Sequence, residues 1–130
     1  MNEIFVNCLF VGAGGAIGAV ARYLLSYAPW HFIGAFPMGT MIVNIIGALL
    51  MGIVVGIAST SFSLDAHMMT FLRVGVCGGF TTFSTFALES AQLLQSGNIV
   101  ITGAYIILSV SLCIIAILAG EYAVESLVKA

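Results

Sequence analysis

Residues 77–86, CGGFTTFSTF, lie in the middle of a long apolar stretch, where they place two glycines, four hydroxyl side chains and three phenylalanines. Glycine gives up helical geometry at low steric cost, and a break strands the carbonyls of one half-helix and the N–H groups of the other. In hydrocarbon each stranded group costs several kcal/mol unless it is buried in protein or lines a polar cavity. Gly78-Gly79 therefore predicts a helix interrupted in mid-membrane that faces a polar ligand, an ion or a protein interface. Freed carbonyls favour a cation, whereas N–H groups and hydroxyl donors favour an anion; this stretch offers both. The competing reading is a kinked helix whose Ser and Thr hydroxyls bond back to their own carbonyls. The density of Thr81, Thr82, Ser84 and Thr85 favours the ligand. Phe80, Phe83 and Phe86, spaced i, i+3, i+6, fall on one slowly rotating helical face. Aromatic rings carry a positive edge, so a small dehydrated anion could rest against them while hydroxyls donate hydrogen bonds.

The rest of the chain sets the solvent for that motif. Of its 130 residues 62% are hydrophobic and 6% charged, against about 25% charged in a soluble domain. That is too little charge to cover a soluble surface, and the composition is that of a membrane protein. A net charge of −2 leaves no basic patch for nucleic acid. Cys8, Cys77 and Cys113 are odd in number, scattered and flanked by apolar residues, and read as small buried hydrophobes. His31 and His67 fall near predicted segment ends and read as interfacial. Ala19-Val20-Ala21 imitates a signal cleavage site, but Met1-Asn2-Glu3 lacks a basic residue and the apolar run exceeds a signal core, so the segment reads as a retained span.

A span needs about 20 mostly apolar residues. Four candidates, roughly residues 4–27, 37–60, 68–95 and 99–126, fill a single transmembrane domain over 1–130. YAPWHF, 27–32, offers interfacial aromatics after the first. Pro37 opens the second where its missing N–H costs little. STSFSLD closes the second as a polar loop, and QSGN, 95–98, makes a tight turn. Arg22 lies on one side, Arg73 and Lys129 on the other, a feeble bias under the positive-inside rule. Either both orientations insert and pair antiparallel, or one residue of bias suffices. Four helices are too few to pack and also wall a wide pore. Gly14/Gly18, Gly52/Gly56 and Gly75/Gly79 fit the small-xxx-small pattern and predict a tightly packed oligomer. GAGGAIG, 12–18, lacks the spacing and the acidic partner of a dinucleotide fingerprint.

Further polar residues stand inside the spans. Asn44 and Thr40, at i and i+4, share a face of the second span, and Tyr105 and Ser109 repeat that spacing in the fourth. Glu89 lies one turn past Phe86; an ionisable group in a span is costly and marks function.

GGAIGAVARY, GTMIVNIIG and GVCGGFTTFSTF, in that order, resemble the Fluc-type (CrcB-type) fluoride channels of bacteria, and the likeness covers nearly the whole chain. The resemblance implies an all-α membrane protein with four transmembrane helices per subunit, the third broken mid-membrane, in an antiparallel dual-topology homodimer of the bacterial plasma (inner) membrane. It implies two fluoride pathways and passive fluoride export. It also implies a central structural Na+ held by backbone carbonyls of Gly78 and Thr81 from both subunits. By motif, Phe83 and Phe86 are the pathway phenylalanines, and Thr40, Ser84 and Thr85 supply a hydroxyl track. Asn44, Glu89 and Tyr105 line the route, with Arg22 near the aqueous vestibule. Phe80 stands where the family commonly has an aliphatic residue, which leaves its role open. The alternatives are a proton-coupled small multidrug exporter, disfavoured because the first span has only Glu3 at its very start, and a non-transporting assembly subunit. No nucleophile–base pair or metal-ligand cluster points to an enzyme.

Overall fold

The computed structural model describes residues 2–29, 34–60 and 64–129. His31, with Trp30 and Phe32 of the expected interfacial aromatics, and residues 61–63 of the polar loop lie outside the described residues. Four helical segments are long and apolar enough to cross a membrane, and the chain is a multi-pass, all-α membrane protein.

Helix α1, Glu3–Leu25, is capped by Asn2, whose side chain accepts from the Ile4 N–H. Glu3 in its first turn and Arg22 in its last oppose the helix dipole. Helix α2, Met38–Ala58, starts directly after Pro37. The third span has two parts. Its first, α3, is one continuous helix built from Ala66–Met69, Thr70–Cys77 and Gly78–Phe80, with Asp65 accepting from the Met68 N–H at 2.8 Å as its cap. Through Thr70–Cys77 the turns are widened to i→i+5 bonding, so that the Gly78 N–H reaches the Arg73 carbonyl. Thr81 and Thr82 then leave helical geometry (φ −78°, ψ 159° and φ −146°, ψ 109°), and α4, Phe83–Gln95, resumes. Gly97, at φ +79°, closes the QSGN turn in a conformation that favours glycine. Helix α5, Ile99–Lys129, completes the bundle. The four long apolar helical segments run Glu3–Leu25, Met38–Ala58, Ala66–Gln95 and Ile99–Lys129.

Sequence neighbours are not the main packing partners. Helix α1 packs on α3, and α2 on α5. Both pairs run parallel: Asn7 meets His67, Gly14 meets Gly75, and Gly18 meets Phe80 in ascending order. One end of the bundle thus carries the start of α2 and the other the start of α3; they are called here the Pro37 end and the Asp65 end.

Two expectations change. The small-xxx-small glycines were expected between subunits, but they serve contacts within the chain. A Cβ on Gly79 would stand 2.6 Å from the Gly15 carbonyl oxygen, and one on Gly14 2.5 Å from the Phe71 carbonyl oxygen. Gly52 is closed off in the same way by the Ile117 carbonyl. Without a hydrophobic driving force between helices, such close backbone approach supplies the attraction. The interruption is also displaced: Gly78 and Gly79 are helical, and the chain breaks at Thr81–Thr82. Phe80 consequently belongs to α3, buried at 6% exposure, and only Phe83 and Phe86 share a helix.

Candidate functional site

The break is held open from another helix. The Asn44 carboxamide clasps the Thr82 peptide from both sides: Oδ1 accepts from the Thr82 N–H at 2.8 Å, and Nδ2 donates to the Thr82 carbonyl at 3.1 Å. The N–H and carbonyl of a residue taken out of helical bonding inside a membrane are thereby both satisfied. A side-chain amide has two N–H donors, so one stays available. On the near side of the break, the Thr81 N–H and hydroxyl both return to the Cys77 carbonyl at 3.0 Å. On the far side, Thr82 caps α4: its hydroxyl accepts from the Thr85 N–H at 3.2 Å and donates to Thr85 Oγ1 at 2.9 Å. That leaves the Thr85 hydroxyl proton uncommitted among the described residues. Ser84 is exposed and meets Thr82 Oγ1 at 3.3 Å.

Glu89, one and a half turns into α4, is buried at 9% exposure. Thr40 of α2 donates to one carboxylate oxygen at 2.8 Å, and Tyr105 of α5 donates to the other at 2.7 Å. Two hydroxyl donors make the carboxylate tolerable so deep in the protein and tie three helices at one point. Tyr105 is fully buried, with the Phe36 ring edge-on to it at 5.5 Å and the Phe86 ring tilted at 5.2 Å. Phe83 lies 5.5 Å from Phe86, but the two differ sharply: Phe86 is 8% exposed and Phe83 79%.

Two cavities flank the clasp. One, of about 430 Å³, includes Arg22, Tyr23, Thr40, Thr82 and Thr85 in its wall. Arg22 is fixed there by Nε donating to the Gly79 carbonyl at 3.2 Å, a cation on the negative end of α3. The other, of about 390 Å³, is an open groove walled by Asn44, Gly47, Thr81, Phe83, Phe86 and Ser109. Asn44 faces one and its bonded partner Thr82 the other, so the clasp is the partition between them. A third space of about 190 Å³ at the Pro37 end touches Glu89, Gln92 and Asn98.

The residues singled out in the sequence therefore gather around α4, though in different surroundings. Thr40, Glu89, Tyr105 and Phe86 form one buried cluster; Asn44 and Thr85 sit at the break; Arg22 shares a cavity with Thr40 and Thr85; Phe83 stands out from the chain. Gly78 is exposed. The Thr82 N–H that would bond the Gly78 carbonyl goes to Asn44, and the Thr85 N–H that would bond the Thr81 carbonyl goes to Thr82 Oγ1. Those two carbonyls have no donor among the described residues. Carbonyl oxygens without donors suit a hard cation such as Na+. Two from one chain are an incomplete set, which two chains would double.

Ser109 is the residue whose importance its spacing alone did not reveal. It is 4% exposed, and its Oγ is buried without a hydrogen-bond partner, in the wall of the Phe83–Phe86 groove. Its i+4 relation to Tyr105 was the available signal. The widened turns of Thr70–Cys77 left no signal in the sequence.

Residues 9–121 match the family described as CrcB-like protein, Camphor Resistance (CrcB). A Nitrobacter hamburgensis protein named fluoride-specific ion channel FluC 1 is 45% identical over 113 residues, 86% of this chain and 90% of the relative. Proteins named fluoride-specific ion channel FluC are similar too: one from Shewanella halifaxensis at 41% identity, covering 92% of this chain and 97% of the relative, and one from Clostridium perfringens at 42%, covering 87% and 89%. These relatives are channels by name and not enzymes, and the match runs through every residue of the site from Arg22 to Ser109: this chain belongs to the CrcB family.

Proposed function

We propose that this protein is a fluoride-selective channel that lets cytoplasmic fluoride leave the cell passively across the bacterial inner membrane. The observation that carries the reading is the interrupted third span, clasped by Asn44 between two cavities and lined by hydroxyls and phenylalanine edges, in a chain whose relatives are named for fluoride. Fluoride is small and strongly hydrated, so a narrow path must replace its water with donors. The second N–H of Asn44, the uncommitted Thr85 proton and the unpartnered Ser109 hydroxyl are such donors, and the edges of Phe83 and Phe86 add weak positive poles. Weak sites in series suit conduction, because the ion must enter and also leave. Arg22 would draw anions to the first cavity, while Thr40, Ser84, Glu89 and Tyr105 complete and position the polar wall.

The working unit of this proposal is an antiparallel homodimer with two pathways. The exposure of Phe83 and Gly78 supports it, since each leaves half a site in one chain. The nearly even split of Arg22 against Arg73 and Lys129 suits dual insertion. A sodium ion held by the Gly78 and Thr81 carbonyls of both subunits would satisfy otherwise stranded groups and supply positive charge at the dimer centre. The test is fluoride-electrode efflux from liposomes carrying the purified protein, beside a chloride control. Fast fluoride release with far slower chloride release is expected; equal release of both ions would overturn the assignment.

A further inference from the structure

Arg73, counted above only for insertion, has no part in the proposed fluoride pathway. It lies seven residues into α3, about 10 Å along the helix from its start, and is exposed. All five acidic residues of the chain are among the described ones. Among the described residues the single salt bridge joins Lys129 to Glu125, and no hydrogen bond engages the Arg73 guanidinium. A guanidinium at that depth with no counter-charge is expensive. Arg73 borders a cavity of about 310 Å³ with Met51, Met69, Thr70 and Val74. Thr70 spends its proton on the Ala66 carbonyl at 2.9 Å, so Arg73 is the only strong donor in that wall. Met51 of α2 is shared with the Phe83–Phe86 groove, which makes the two spaces neighbours along α2. Arg22 serves a cavity walled by the start of α2, whereas Arg73 sits toward the Asp65 end.

We propose that Arg73 forms a second anion site, where a small monoanion is drawn in from the Asp65 end before it reaches the groove. It rests on the fluoride-channel reading only in taking the groove as the ion's onward route. The shared chemistry is one negative charge presented to a guanidinium, from a solute anion or from the phosphate of an acidic lipid.

The experiment compares parent, Arg73→Gln and Arg73→Lys in liposomes of neutral phosphatidylcholine and in liposomes with added phosphatidylglycerol. Fluoride efflux is read at about 0.01 M and about 0.1 M salt, over which the screening length falls from about 30 Å to about 10 Å. In both lipids Arg73→Gln is expected to slow efflux about threefold or more at low salt, with the deficit shrinking at high salt and Arg73→Lys close to parent. A deficit confined to phosphatidylglycerol liposomes assigns the site to the lipid phosphate. Rates equal to the parent in every arm would overturn the proposal, as would a salt-independent deficit accompanied by loss of the oligomer, which marks a structural ion pair. Thermal unfolding of the detergent-solubilised protein with sodium fluoride or phosphatidylglycerol reads occupancy without conduction. Stabilisation of the parent but not of Arg73→Gln supports the site even if the parent fails to conduct, and equal stabilisation of both counts against it.

Discussion

The two halves of the third span carry similar polarity but spend it differently. In α3, residues 66–80, the face toward α1 carries Gly75 and Gly79, where backbone lies against backbone and nothing larger than hydrogen fits. In α4, Phe83–Gln95, the inward groups include hydroxyls, a carboxylate and the Phe86 ring, with spaces of several hundred Å³ beside the break. The first half is a close-packed mount, and in the proposed function the second is the working surface. The two-residue gap between them lets one helix be both, because it frees α4 from the direction that the glycine contacts impose on α3.

The largest effect is expected from closing the tight half. Valine at Gly79 would drive its Cβ into the Gly15 carbonyl, and backbone cannot swing aside as a flexible side chain can. Gly79→Val should cost about 3 kcal/mol or more and abolish the monodisperse peak in size-exclusion chromatography. A variant that purifies and melts like the parent would show that α1 and α3 are not pressed together as described.

A smaller effect is expected at the junction. Asn44→Ala removes both bonds to Thr82 and strands its N–H and carbonyl. The loss should be roughly 2 kcal/mol, read as lower thermal stability of the folded protein. Asn44→Asp keeps the acceptor for the Thr82 N–H but loses the donor, and should fall between the two. Equal melting of parent and Asn44→Ala would mean that the break holds itself without the clasp.

The spans were legible in the sequence because hydrophobic run length measures the bilayer directly. The existence of a break was legible too, but its place was not. Gly78-Gly79 looks like the weak point by local propensity; the actual break sits at Thr81–Thr82 because Asn44, 38 residues away in the chain, offers a better partner to that peptide than continued helix does. The glycine spacing correctly announced close packing and could not say with what, since a small-xxx-small face fits a helix of its own chain as well as one of another. Thr40 with Asn44 and Tyr105 with Ser109 were visible as polar strips. That Thr40 and Tyr105 converge on one carboxylate while Ser109 is left unpartnered depends on α5 lying parallel to α2, a choice made in three dimensions.

The sharpest break in the comparison is at Phe83, where the effect on stability should be the smallest. Its ring is 79% exposed within the chain, so Phe83→Ile removes little packing and should change the stability of an isolated subunit by no more than about 0.5 kcal/mol. Isoleucine fills much of the same volume but has no positive ring edge to offer an anion. Fluoride efflux should therefore drop by about tenfold or more, a barrier increase of about 1.4 kcal/mol, with size-exclusion behaviour unchanged. Phe86→Ile disturbs the packing against Tyr105 as well, so a drop in flux there is ambiguous between fold and function. At Phe83 the two separate: unchanged flux would mean that the exposed ring is filler facing lipid or a neighbouring subunit, and α4 would then be a mount like α3.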